Sequence, residues 1–180
     1  MKRDDWIEAD VSARVLRIDP SALDGDLEEQ GWSLLRDLLT PAECDDVASL
    51  YGQDQGFRSR VVMARHGFGK GEYRYFSYPL PPLVQALRTA LYPHLAPLAN
   101  RWHERMAMSV RFPAEHADFI ARCAASGQSR PTPLLLQYGA GDYNCLHQDL
   151  YGDHVFRCKS LHELTARGDA RRDIGLSEAE

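Results

Sequence analysis

The spacing of apolar positions changes several times along this chain, and each change marks an element. Residues 1–30 are acidic and weakly patterned, and read as one or two outer helices. Gly31-Trp32-Ser33-Leu34-Leu35-Arg36-Asp37-Leu38-Leu39 reads as a strand. Thr40-Pro41-Ala42-Glu43 then has the form of a helix start, with Thr at the N-cap, Pro at the first helical position and Glu placed to close a capping box. That helix is expected to reach about Tyr51 and stop at Gly52.

Phe57–Met63 and Glu72–Tyr78 are aromatic and β-prone, with Gly67, Gly69 and Gly71 between them, which predicts two strands joined by a flexible glycine loop. Pro81-Pro82 opens a helical pattern through Val84, Leu87, Leu91, Leu95 and Leu98 toward Trp102, with an interruption expected near Pro93 or Pro97. A further helix is predicted from Phe112-Pro113 to Ala125, ended by Gly127. Thr132–Tyr138 reads as a strand, Gly139–Asp142 as a turn, and Tyr143–Tyr151 as the next strand. From Arg157 to Glu180 the chain is highly charged and holds only Leu161, Leu164, Ile174 and Leu176 as isolated apolar residues, so no buried strand is expected there.

Composition narrows the class without naming a function. At 180 residues, 44% hydrophobic and 26% charged, the chain has the makings of one ordinary globular domain. A formal net charge of -5 argues against nucleic-acid binding through global basicity. Cys44, Cys123, Cys145 and Cys158 show no Cys-x-x-Cys pair and no zinc spacing. No apolar run follows the charged N-terminus, and none approaches the roughly 20 residues of a membrane span. A reducing cytoplasm with free thiols, and no membrane partner, is the expectation.

Candidate chemistry sits in the strand expected after the glycine turn. Side chains at i and i+2 share a strand face, so His147 and Asp149 project side by side, roughly 7 Å apart at their Cα atoms given a rise of about 3.3 Å per residue. An imidazole and a carboxylate so placed supply two-thirds of a 2-His-1-carboxylate triad, which binds iron(II) and leaves positions open for a 2-oxo acid and dioxygen. A bare His-x-Asp is also a common surface pair beside a turn.

The surroundings are more specific. The run from Pro131 through Leu134-Leu135-Leu136-Gln137-Tyr138-Gly139-Ala140-Gly141-Asp142 and Leu146-His147-Gln148-Asp149-Leu150-Tyr151 to Gly152 resembles bacterial 2-oxoglutarate/iron(II)-dependent dioxygenases. Within them it is similar to the branch described as prolyl-hydroxylase-like or as acting on alkylated DNA. Phe57–Tyr73 and Leu95–His103 are similar to that branch too, so the likeness spans about residues 30–156.

The resemblance implies an α+β fold, with helices packed on an incomplete double-stranded β-helix, or jelly-roll, sheet. It divides the chain into a helical extension at 1–30, the N-terminal part of an oxygenase domain at 31–156 and an aberrant polar tail at 157–180. It implies Fe(2+) as cofactor, 2-oxoglutarate and dioxygen as co-substrates, and His147 and Asp149 as metal ligands. Tyr138 matches a tyrosine that hydrogen-bonds the 2-oxoglutarate carboxylate in related enzymes, and reads equally as a half-buried strand tyrosine. The substrate is open between alkylated nucleic acid, a protein side chain and a small molecule.

The family's third histidine ligand and its arginine for 2-oxoglutarate have no convincing match, so the chain reads as truncated and impaired. Where that branch continues Phe-Pro-Leu-Gln-Val, this chain has Phe156-Arg157-Cys158-Lys159-Ser160. A one-base deletion in the Pro-Leu-Gln-Val codons yields Arg-Cys-Lys-Ser, so we hypothesise a frameshift after Phe156. Resequencing of the locus tests it, and an intact frame with no strands encoded downstream would sink it.

Two other readings stay open: a non-catalytic remnant or interaction module, and a metal-dependent hydrolase built on His147, Asp149, Asp153 and His154. The second is weakened because the neighbours Asp153 and His154 would face opposite ways in a strand. The basic residues Arg58, Arg60, Arg65, Lys70 and Arg74, interleaved with aromatics, would either line a cleft for an anionic co-substrate or nucleic acid or form a solvated strand face. Cys145 reads as packing, and His154 and His162 as surface residues.

Overall fold

The computed structural model describes the backbone of residues 3–146, 160–165 and 171–176. In chain order its elements are α1 (Arg3–Val15), α2 (Pro20–Glu29), α3 (Pro41–Leu50), β1 (Phe57–Val62), a 3-10 turn at Met63–Arg65, β2 (Gly69–Lys70), β3 (Glu72–Phe76), α4 (Pro82–Arg105), α5 (His116–Ala125), β4 (Leu134–Tyr138), β5 (Tyr143–Asn144), β6 (Ser160–Thr165) and β7 (Arg171–Leu176). This is an α+β chain, as expected. It forms two compact units, Met1–Thr40 with Pro82–Arg122, and Pro41–Pro81 with Cys123–Glu180.

The first unit is helical, with α1 packed along α4. Asp19 caps α2, its carboxylate accepting the backbone N–H groups of Ser21 and Ala22, and Pro20 sits where its missing N–H costs nothing. The break expected near Pro93 or Pro97 does not occur, and α4 runs through both. Each internal proline costs about 3 kcal/mol. Buried Val84, Leu87, Leu91, Tyr92 and Leu98 offset that, because a fully buried large apolar side chain contributes about 1.5–3 kcal/mol. The chain beyond α4 is tied back by a reciprocal pair: Asn100 Nδ2 donates to the Phe112 carbonyl at 2.9 Å, and the Phe112 N–H donates to Asn100 Oδ1 at 2.7 Å. Phe112 then meets Phe119 of α5 edge-on, with ring centroids 5.6 Å apart.

Gly31–Leu39 is not the expected strand; it is irregular. Asp37 adopts φ +57°, which ends an extended run, and the Leu38 carbonyl accepts from buried Arg14 Nη1 at 2.7 Å rather than from a neighbouring strand.

The second unit holds a five-stranded antiparallel sheet in the order β1-β3-β4-β7-β6. Its middle is apolar: Leu135 and Phe76 are buried, and Met63 lies at the end of β1. A bulge between Phe57 and Ser59 resets the β1 register and brings the Arg58 guanidinium 4.2 Å from the centre of the Tyr75 ring. The strands β6 and β7 lie within 157–180, where a polar tail with no buried strand was expected. Strand pairing uses backbone groups available to any sequence, and β4 offers them: the register sets Ile174, one of the few apolar residues of that stretch, opposite Leu135.

The strand expected at Tyr143–Tyr151 is described only as far as Leu146. Tyr143–Asn144 pairs with β2 in a separate two-stranded ribbon, and the rest of that stretch from His147 onward lies outside the described residues.

Candidate functional site

The approach to the His-x-Asp segment is a sequence of locked turns. Strand β4 ends at Tyr138, whose ring lies against the backbone of Gly71. A Cβ at Gly71 would stand 2.8 Å from Tyr138 Cδ1, and φ is +127°, so glycine is required there. After Tyr138 the chain reverses: the Asp142 N–H donates to the Gly139 carbonyl at 3.1 Å, and the Gly139 N–H donates to Asp142 Oδ2 at 2.8 Å. Lys70 Nζ reaches Asp142 Oδ1 at 3.3 Å. The Gly139 N–H first, and Lys70 after it, hold the Asp142 carboxyl below its ordinary range.

The ribbon follows at once. Gly69 pairs with Asn144 and Lys70 with Tyr143, and the Cys145 N–H donates to the Phe68 carbonyl at 2.8 Å. At Gly69 a Cβ would stand 2.2 Å from the Tyr143 carbonyl oxygen, so β5 can sit this close only over glycine. Buried Met63 anchors the ribbon's base: its N–H donates to the Gly71 carbonyl at 3.0 Å and its carbonyl accepts from Phe68 at 3.2 Å. The glycines are therefore contact points that fix where residues 138–145 run, rather than a loose linker.

The basic residues divide. Arg60 Nε donates to Glu72 Oε2 at 3.0 Å, and the Tyr51 hydroxyl donates to Glu72 Oε1 at 2.6 Å. Burial pushes the Glu72 carboxyl up, but the bonds from Arg60 and Tyr51 outweigh it and hold it below the ordinary value. Burial and Glu72 together push the Tyr51 phenol well above its own. Arg74 Nη1 donates to the Gln53 carbonyl at 2.8 Å, and Arg58 Nε to the Pro131 carbonyl at 3.1 Å. These three arginines are taken up within the sheet and by the segments beside it, Gln53 and Pro131, and do not form an anion cleft. Arg65 and Lys70 face water.

Tyr138 stands at the end of β4, as expected. His147 and Asp149, with Asp153 and His154, lie outside the described residues. Among the described residues no group of three His, Cys, Asp or Glu side chains is placed to hold a metal. By donor chemistry, one imidazole nitrogen and one carboxylate suit iron(II), and they are two donors of the three a facial triad needs. His162 lies in β6, and Cys145 is half-buried beside Phe68. Among the described residues no helix is long and apolar enough to cross a membrane.

The sequence profile of a family described as oxygenases catalysing oxidative methylation of damaged DNA matches residues 71–172, more than half of the chain. The chain belongs to that oxygenase family. The matched stretch takes in Tyr138, His147 and Asp149, and it continues past Phe156. Two uncharacterized proteins of Mycobacterium tuberculosis, from strains CDC 1551 / Oshkosh and ATCC 25618 / H37Rv, are each 44% identical to this oxygenase-family chain over 90 residues. That covers 50% of this chain and 39% of each relative, so the chain spans less than half the length of the curated relatives it matches. No solved structure matches it.

What sequence reasoning missed is the ribbon. Its signal was the spacing of Gly69 and Gly71 opposite a second glycine turn, which marks close backbone approach as readily as looseness.

Proposed function

We propose that this chain is part of an iron(II)- and 2-oxoglutarate-dependent oxygenase that removes alkyl groups from damaged DNA by oxidation. The match of the oxygenase family across residues 71–172 carries the reading, because it spans the expected ligand pair and the expected 2-oxoglutarate tyrosine. On this reading the five-stranded sheet is part of a double-stranded β-helix, and His147 and Asp149 hold the metal. Bound there, iron(II) would supply the centre at which dioxygen is reduced with electrons from 2-oxoglutarate.

The chain's own residues supply position. The Tyr138 hydroxyl donates to a 2-oxoglutarate carboxylate, and the Gly71 backbone against its ring restricts where that hydroxyl points. The Gly139–Asp142 turn and the β2–β5 ribbon set the path of the chain into the ligand segment. In the overall reaction one oxygen atom enters a substrate C–H bond and the other enters succinate, with carbon dioxide released. Hydroxylation of an N-methyl group gives a hemiaminal, which releases formaldehyde and the repaired base.

The test is iron-dependent formation of succinate and formaldehyde from 2-oxoglutarate and a methylated oligonucleotide, with cobalt(II) binding followed by its visible spectrum. His147→Ala and Asp149→Ala should each remove both signals. Tyr138→Phe should raise the KM for 2-oxoglutarate about tenfold through one lost charge-assisted hydrogen bond. A chain that binds no metal would sink the reading, whereas one that binds metal through His147 and Asp149 but makes no succinate is the impaired module that the missing third donor predicts.

A further inference from the structure

The β2–β5 ribbon gathers exposed aromatic and basic side chains on a piece of chain that runs directly into His147. Tyr143 is 58% exposed and Phe68 44%, against the burial usual for such rings. Lys70 pairs with Tyr143, so those two share one side of the ribbon, and Phe68 stands at the ribbon's end, where its carbonyl accepts from the Cys145 N–H. The His66 ring extends the platform, stacked on Phe68 with centroids 5.4 Å apart and planes at 23°. Arg65 is exposed beside it and has no ion pair among the described residues. Lys70 shares a bridge with Asp142, but it is the outer partner: its side chain is 63% exposed and that of Asp142 16%. Asp142 is already engaged by the Gly139 N–H, so its charge is directed into the turn.

We infer that this ribbon is a single-strand contact surface for DNA, with Phe68 and Tyr143 stacking on bases and Arg65 and Lys70 meeting phosphates. Planar rings flanked by cations suit a single strand, since every base has a face to stack and every linkage a charge. A duplex hides those faces, so the strand must be single or locally opened. A net charge of -5 gives the chain no global attraction for DNA, so contact would fall to a local basic patch such as this one. Tyr143 precedes His147 by four residues, at most about 14 Å of chain, so a nucleotide stacked there lies close to the ligand segment. The inference rests on the DNA reading above, yet it concerns binding and requires neither iron nor turnover.

Its test is fluorescence anisotropy of a labelled single-stranded oligonucleotide with the full chain, without iron or 2-oxoglutarate. Phe68→Ala and Tyr143→Ala should each weaken binding about five- to a hundredfold, with unchanged circular dichroism and melting. Phe68→Tyr should restore most of the affinity. Arg65→Ala should lower the slope of log K against log salt by about 0.7. Wild-type affinity in the two alanine variants overturns the inference, as does a wild-type chain that binds no DNA at low salt. Succinate formation without these binding effects removes the ribbon and keeps the oxygenase reading. Ribbon-dependent binding without metal affinity does the reverse.

Discussion

The β1–β3–β4 sheet and the β2–β5 ribbon come from interleaved stretches of one chain, yet they treat charged and aromatic residues in opposite ways. In the sheet, Arg58, Arg60 and Arg74 are engaged by carbonyls, a carboxylate and ring faces, Arg60 while its side chain stays exposed. Phe76 there is buried and stacks on Phe57 with ring centroids 4.9 Å apart. In the ribbon the same residue types face water, and backbone contacts over Gly69 and around Met63 hold the structure. A basic, aromatic sequence stretch can thus serve the fold at one end and offer a surface at the other. Composition does not distinguish the two; the partner of each side chain does.

The strongest way to break that contrast is to attack the sheet. Leu135 is fully buried at the centre of β4, so Leu135→Ala should cost about 2–5 kcal/mol and lower the denaturation midpoint of the whole second unit. The ribbon's signals should be lost in the same transition, because Gly71 and Tyr138 couple ribbon and sheet. Two separate transitions by near-ultraviolet circular dichroism would show that the ribbon stands alone.

Next in size, Gly69→Ala separates the two regions. The new Cβ would collide with the Tyr143 carbonyl, and a φ of +121° adds strain of about 1–3 kcal/mol for any other residue. Hydrogen exchange should quicken at Cys145 and Phe68, whose amides close the ribbon, while amides of β3 and β4 keep their protection. Equal loss in both regions would mean that the ribbon is part of the sheet's cooperative unit.

How far this architecture was legible follows from where each segment's partners lie. The helix α3, opened by Thr40-Pro41, and the strands β1, β3 and β4 have local signals, in caps, β-branched and aromatic residues and bounding turns. Gly31–Leu39 was misread because an apolar run needs a strand beside it, and Arg14 took its carbonyl instead. β6 and β7 were missed because their pairing is set by the open edge of β4 and not by their own charged side chains. For α4, tertiary burial overrode two prolines. At the site, Tyr138 lay where the strand pattern put it, while the ribbon depended on a contact between residues 69 and 144, which spacing along the chain does not reveal.

A smaller effect sharpens the sheet side. Tyr51→Phe removes the hydroxyl that donates to Glu72 and should cost about 1 kcal/mol at neutral pH. Glu72 is held below its ordinary value in the folded chain, so its contribution is present above the unfolded carboxyl value of about 4.3 and is lost as pH falls through the folded one. The variant should therefore lose less stability than wild type on acidification. Tyr51 itself works in the other direction: its proton is retained in the fold, so wild-type stability should fall as pH rises past about 10, and the variant should lack that loss. Identical pH profiles for the two chains would refute the assignment.

The smallest effect belongs to the Lys70–Asp142 bridge, and it tests what holds the ribbon. Asp142 is anchored twice, by the Gly139 N–H within its own turn and by Lys70 across to β2. Exposed ion pairs contribute little because water and salt screen them, whereas the backbone N–H bond is local and survives the loss of Lys70. Lys70→Met should therefore leave the melting temperature nearly unchanged, and any difference should vanish at about 1 M salt, where the screening length falls to about 3 Å. Asp142→Ala removes both anchors and should perturb the Gly139 amide shift and the exchange of Cys145 at every salt concentration. If Lys70→Met proves the more damaging of the two, the bridge and not the turn holds the ribbon. The lysine would then be a structural residue like Arg60, and the surface that remains for DNA would rest on Arg65 and the rings alone.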